Sequence, residues 1–232
     1  MGDAPLCEVF EDHAILKGGV ALRLFDCPRS TTDIDYTFVP FRSKNDVRNR
    51  IERVLAEVEG AAVSIDVHSK MVRATFRVDS AAIQIEANVA MRCASTAAPT
   101  ATLATAQGQP SRIVRVMALD SALAHMLAAW NERRLMHDLY DCYFLSSRPG
   151  ATPNLEILDE RLAKIVSRIP KLTKRSKMTR TEFARELHTA AHAIDEVALR
   201  NELAPILPPD EMAGILPRIR SAVVRLAERL GS

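Results

Sequence analysis

Cysteine is scarce and scattered, with only Cys7, Cys27, Cys93 and Cys142 among 232 residues. They form no CxxC pair and no spacing of a zinc ribbon or a disulfide framework, so neither metal nor disulfide staples organise this chain. The four thiols read as reduced and mostly interior. Long apolar runs are missing too. No stretch reaches the ~20 residues that cross a bilayer, and Met1–His13 carries acids where a secretion signal carries bases before a greasy core. The expectation is a cytoplasmic protein without membrane contact. Strong net charge is absent, at +2, and no internal repeat is visible.

What is present is the composition of an ordinary globular chain. Apolar residues at 47% and charged residues at 26% exclude disordered, collagen-like and coiled-coil classes. The length suits one large domain, or a catalytic domain with a smaller companion. Charge is unevenly spread. From Lys164 to Arg185 the chain places Lys164, Arg168, Lys171, Lys174, Arg175, Lys177, Arg180 and Arg185 against the single acid Glu182, which predicts a local basic surface.

Along the chain, residues 7 to 25 read as an approach turn and a helix, interrupted by Gly18 and Gly19. Cys27 to Thr32 is turn chemistry, and Asp33–Val39 alternates polar and apolar as a half-buried strand does. Lys44–Glu59 repeats Val47, Ile51, Val54, Leu55 and Val58 at helical spacing. Three strands are expected at Ala62–His68, Val72–Val78 and Ile83–Val89, a loop at Ala94–Gln109, and a short strand at Ile113–Met117. Beyond Asp120 the pattern is helical throughout: two helices carrying Asp120–Glu132 and His137–Leu145, then Leu155–Ile169, Arg180–Leu203 and Pro209–Leu230. Asp120 and Asp210 are the expected N-caps. The fold class is therefore α+β: a mixed-sheet domain over 1–117, followed by a helical domain with a basic surface over 118–232.

The chemistry-bearing residues lie in the first half. Asp33 and Asp35, two apart on a strand, project from one face and can share a hard divalent ion while Ile34 anchors the other face. A third acid on a neighbouring strand would complete the set; Glu86 is the first candidate and Asp66 the alternative. The glycine pair lets backbone amides approach a polyphosphate, with Lys17 and Arg23 adding positive charge. His188 and His192 stand four apart on a helix, but no third ligand follows, so they read as surface or packing residues. Trp130 and Tyr140 read as core.

Order and separation of these elements carry a family resemblance. Ile15 to Leu24 (ILKGGVALRL), then Arg29 to Asp35 (RSTTDID), resemble the "LKGGTALR … RxSxDID" signature of the AbiEii/MenT nucleotidyltransferase toxins, a branch of the DNA polymerase β-like superfamily. His137 to Leu145 (HDLYDCYFL) is similar to that family's "RDLYDLxxL" block. The resemblance implies a polymerase β-like catalytic domain and a toxin that uses a nucleoside triphosphate with magnesium or manganese. It implies transfer of a nucleotide to RNA, with the tRNA 3′ end as acceptor, and hence inhibition of translation and growth, countered by a cognate antitoxin protein. By position, Asp33 and Asp35 match the metal-binding aspartates, Gly18 and Gly19 the nucleotide-gripping turn, and Asp138 the late-block acid; Thr31 stands where serine is usual. Two positions depart: His125 stands where a lysine is expected, and His137 replaces the arginine before the late aspartate. The basic residues Lys171, Lys174, Arg175 and Lys177 are the candidate RNA contacts. Other acceptors, a small molecule or a protein hydroxyl, remain open, as does a binding module without catalysis.

Overall fold

Alternation of polar and apolar residues builds the first unit of the structure, a computed structural model that describes residues 13–57, 62–69, 71–78, 81–167, 169 and 175–231. The chain divides into two compact units, Met1–Ala118 and Leu119–Ser232.

Within the first unit, seven strands form one mixed sheet in the order β3-β4-β5-β2-β1-β7-β6. They are β1 (Ala14–Lys17), β2 (Asp33–Phe38), β3 (Ala62–Val67), β4 (Val72–Val78), β5 (Ala81–Val89), β6 (Ser95–Pro99) and β7 (Ile113–Met117). β1 runs antiparallel to β2 and parallel to β7, and β2 runs parallel to β5. The helices of this unit are α1 (Gly18–Arg23), α2 (Lys44–Ala56) and α3 (Ala101–Ala106).

Side chains alternate across each strand, so each registered row shares a face. One face is apolar: Ala14, Phe38, Val72, Ala74 and Ala87 bury against Val47, Ile51 and Leu55 of α2. Leu16, Val116 and Ala98 close on Ala21 of α1 in an adjoining cluster. Each fully buried aliphatic side chain there contributes roughly 1.5–3 kcal/mol. On the opposite face, Lys17, Asp35, Glu86, Arg73 and Asp66 stand in one registered row across five strands.

Three features of this unit depart from the sequence reading. Residues 14–17 form a strand, not part of a helix, because Ile15 and Leu16 pair with both β2 and β7. The expected loop at 94–109 contains β6 and α3. Its Ala and Thr residues have no apolar period because β6 is an edge strand with one neighbour, β7. The α2 helix ends at Ala56, and Val58, Glu59 and Gly60 lie outside the described residues.

The second unit is helical: α4 (Leu119–Arg133), α5 (Met136–Ser146), α6 (Leu155–Leu162), α7 (Arg180–His192), α8 (Glu196–Leu203) and α9 (Ile215–Gly231). α9 presents Ile215, Ile219, Ala222, Val223, Leu226 and Leu230 as a buried stripe and packs on α7 and α5. The helix expected over 180–203 is two, broken after His192, where Asp195 accepts from the Ala198 amide at 2.6 Å and starts α8. Neither expected N-cap holds. Asp120 sits inside the first turn of α4, and Asp210 precedes a run of turns before α9 opens at Ile215. Thr179 instead makes a full capping box with Glu182, and Asn154 caps α6. No helix among the described residues is long and apolar enough to cross a membrane.

Candidate active site

Strand β1 passes directly into α1 at the glycine pair. Gly18 has φ +65, and a methyl added to it would stand 2.3 Å from Asp35 Oδ2. Both facts require glycine: L-residues disfavour that backbone region, and the carboxylate already occupies the space of a side chain. Gly19 is enclosed from the other side, since its added methyl would meet Thr31 Cβ and Oγ1 at 2.7 Å and Arg29 Nη1 at 3.0 Å. The pair is thus backbone pressed between the aspartate strand and the turn before it.

Asp33 and Asp35 are half-buried on β2. Lys17 lies opposite Asp35 in register, and its Nζ is 3.4 Å from Asp35 Oδ1. Thr31 donates its hydroxyl to the Asp33 carbonyl, and Thr32 donates to Asp33 Oδ1, both at 3.3 Å. These contacts fix the turn that delivers the two carboxylates to one face. Arg29, 8% exposed, donates to the Ser30 carbonyl at 3.2 Å.

Glu86 is the registered partner of Asp35 across the parallel β2–β5 pair, and Gln84 that of Asp33. Adjacent strands are about 4.8 Å apart, so this carboxylate shares the face of the aspartates one strand away. Its Oε1 takes Arg73 Nη2 at 2.7 Å, Arg73 Nε at 3.2 Å and Gln84 Nε2 at 3.1 Å. Among the described residues no donor reaches its Oε2. Asp66, the alternative third acid, lies on β3, three strand spacings or about 14 Å from Asp35. That separation excludes it from a shared ion.

The donor set fits a hard divalent cation. Asp33 and Asp35 offer carboxylate oxygens from one face, and magnesium is commonly held by one or two carboxylates together with substrate phosphates and water. No group of three or more His, Cys, Asp or Glu side chains gathers as a cage among the described residues. Cys93 is near enough that the charge of Lys17 opposes the upward push of burial on its thiol.

Of the other expected residues, Arg23 is exposed at the far end of α1 from Gly18. Asp138, in the second unit, is wholly buried. Arg133 clamps it with two donors, Nη2 to Oδ1 and Nε to Oδ2, the latter at 3.2 Å. Burial pushes its carboxyl above the usual aspartate range, opposed by Arg133 and His137 and reinforced by Asp141. His137 is held by Glu202, whose oxygens also accept the Met136 and His137 amides at 3.0 and 2.9 Å. At His125, Arg161 Nη1 lies 3.2 Å from Nδ1. A guanidinium only donates, so Nδ1 accepts, and the cation beside this position is Arg161. Lys171 and Lys174 lie outside the described residues, as does Cys7; Arg175 pairs with Glu186, and Lys177 is exposed. His188 and His192 meet as tilted rings with centroids 4.8 Å apart, and Trp130 and Tyr140 are buried at 3% and 1% exposure.

Sequence reasoning named neither Arg73 nor Arg161 and gave Gln84 no role. Alternation placed Gln84 beside Glu86, but the β4–β5 register that brings Arg73 to the same oxygen has no local signal.

Comparison with known proteins gives a family for the chain and relatives of similar fold. The family model for the nucleotidyl transferase AbiEii toxin of type IV toxin–antitoxin systems matches residues 6–224. MenT4, a nucleotidyltransferase toxin of Mycobacterium tuberculosis H37Rv, is similar in fold at TM-score 0.60 and 18% identity, over 97% of this chain and 84% of that one. JHP933 from Helicobacter pylori is similar at TM-score 0.52 and 14% identity, over 97% and 87% of the two chains. No curated protein sequence matches the chain.

Proposed function

The chain belongs to the AbiEii nucleotidyl transferase toxin family of type IV toxin–antitoxin systems, and we propose that it transfers a nucleoside monophosphate to RNA. The acceptor we infer is the tRNA 3′ end, and the outcome is arrest of translation and growth until a cognate antitoxin intervenes. The observation that carries this reading is the registered row Lys17, Asp35, Glu86 with Asp33 and the glycine pair beside it.

In this reading Asp33 and Asp35 hold magnesium or manganese. The ion would neutralise the triphosphate and orient it. The Gly18–Gly19 backbone, Lys17 and Thr31 bind the triphosphate: the glycines by close approach, and Lys17 by moving its ammonium from Asp35 to a phosphate oxygen. Arg23, exposed one helix length away, adds charge to the approach and not to the reacting centre. Glu86, anchored through Oε1, offers Oε2 to the acceptor hydroxyl as general base. The hydroxyl oxygen attacks the α-phosphorus, its proton passes to Glu86, and the bond to the pyrophosphate leaving group breaks. Asp138 is a positioning residue within the helical unit. Being buried, it acts through Arg133, which restores the permanent cation absent at His137.

Lys171, Lys174, Arg175 and Lys177 supply the acceptor's phosphate contacts in this reading. Expression in cells tests the whole. Growth should stop with the native protein and continue with Asp33→Ala at equal protein level. Toxicity that survives Asp33→Ala would make the protein a binding module. Reversing the charge of Lys174, Arg175 and Lys177 should abolish labelling of tRNA; a small-molecule acceptor would be labelled as before.

A further inference from the structure

Arg134, the residue after α4, lies in the left-handed region with φ 57, a conformation that costs a non-glycine residue about 1 kcal/mol or more. The turn folds its guanidinium back over the Trp130 ring, 4.1 Å from the centroid. There Arg134 Nη2 donates to Asn131 Oδ1 at 3.1 Å and to Glu186 Oε2 at 2.7 Å. The second oxygen of the same carboxylate, Oε1, takes Nη1 of Arg175. Two guanidiniums are therefore gathered on one carboxylate, and the charge of Arg175 also reaches Glu182. Burial and the neighbouring Arg175 charge both hold Arg134 below its usual basicity. Lys177, two residues on and exposed, adds a further positive charge.

A strut between the helices would need one arginine and one glutamate. The second arginine adds repulsion that an arriving anion relieves. Each guanidinium carries five donors; among the described residues, Glu186 and Asn131 draw on a single nitrogen of Arg134, and Glu186 on a single nitrogen of Arg175. Two such forks match the oxygens of a phosphate. Trp130 is covered by Arg134 and 3% exposed, so it offers no face for a base to stack on. This site would therefore hold a backbone phosphate and not a base.

We propose that Arg134 and Arg175, arranged by Glu186, form a seat for a polynucleotide phosphodiester in the helical unit. The proposal rests on the RNA-acceptor reading above, but it concerns binding and not transfer.

Fluorescence anisotropy of end-labelled tRNA with the full chain tests it, comparing the native protein with Arg175→Gln, Arg134→Gln and Glu186→Gln. Arg175 is partly exposed, so its variant should fold, as a thermal melt would show. Arg175→Gln should weaken binding about 3- to 10-fold near physiological salt and lower the slope of log K against log salt by about one. Glu186→Gln keeps one acceptor oxygen for the arginines but removes the competing negative charge and should tighten binding, whereas a mere strut would lose thermal stability and leave affinity unchanged. Unchanged affinity and slope in both arginine variants would overturn the seat. A labelled nucleoside triphosphate forms the second arm: loss of triphosphate binding with tRNA binding intact would also overturn it, by assigning the arginines to the donor. Asp33→Ala/Asp35→Ala should bind tRNA normally. A native protein that binds tRNA through these arginines yet transfers nothing would leave the seat standing and defeat the transferase reading.

Discussion

Replacing Gly18 by alanine isolates what the strand-to-helix junction does. The added methyl would lie 2.3 Å from Asp35 Oδ2 and 3.1 Å from its Cγ, at φ +65. The left-handed backbone alone costs an alanine about 1–2 kcal/mol. Contact carbon separations are about 3.5 Å, so the carboxylate must also retreat by about 1 Å, and a misplacement of that size costs about 100-fold in rate. Gly108 provides the matched control within the same unit: its φ is +62, and nothing lies within 4 Å of an added methyl. Urea unfolding and labelled-nucleotide transfer should be measured on both variants. Both should lose about 1–2 kcal/mol from backbone strain, but only Gly18→Ala should lose about 100-fold in rate. A Gly18→Ala protein that transfers at the native rate would refute the claim that Asp35 is held against this glycine for catalysis.

Two further predictions follow from particular contacts. Arg73→Gln frees Glu86 Oε1 from two of its three donors; the rate should fall at least about 10-fold and Arg73→Lys should recover part of it, while stability, measured in urea, changes by about 1 kcal/mol. Asp138 has its carboxyl raised in the folded state by burial. The folded form therefore holds that proton more tightly than the unfolded one, and the group's contribution to stability is present below the usual aspartate range and lost as pH rises through the folded value. Urea unfolding from pH 4 upward should show the native chain losing stability relative to Asp138→Asn; parallel pH curves would contradict the burial effect.

Much of the candidate site was legible because it is local in sequence. The interval from Lys17 to Asp35 contains the glycines, the threonine turn and both carboxylates, and period-two alternation at Asp33, Ile34 and Asp35 fixes which side chains share a face. Glu86 was within reach by the same alternation. The fold class was readable from the change to helical periodicity after residue 118. What sequence could not supply was register. Arg73 meets Glu86 only because β4 pairs with β5 at that offset, and Asp66 is excluded only because β4 and β5 intervene. The edge strand β6 stayed hidden because Ser95, Thr96 and Ala97 make no apolar period, and β1 was absorbed into a helix because four residues are too few to show alternation. In the helical unit, the break after His192 and the late start of α9 turn on caps at Asp195 and on turns near Gly214, which weak local propensities do not rank.

The most direct test of the central claim is transfer of label from each α-³²P nucleoside triphosphate to total tRNA with magnesium, comparing the native chain with Asp33→Ala/Asp35→Ala of equal folded content. Label should enter tRNA with the native chain and fall by at least about 1,000-fold with the variant. Equal labelling by the two proteins, or none by the native chain with any nucleotide, would contradict that claim.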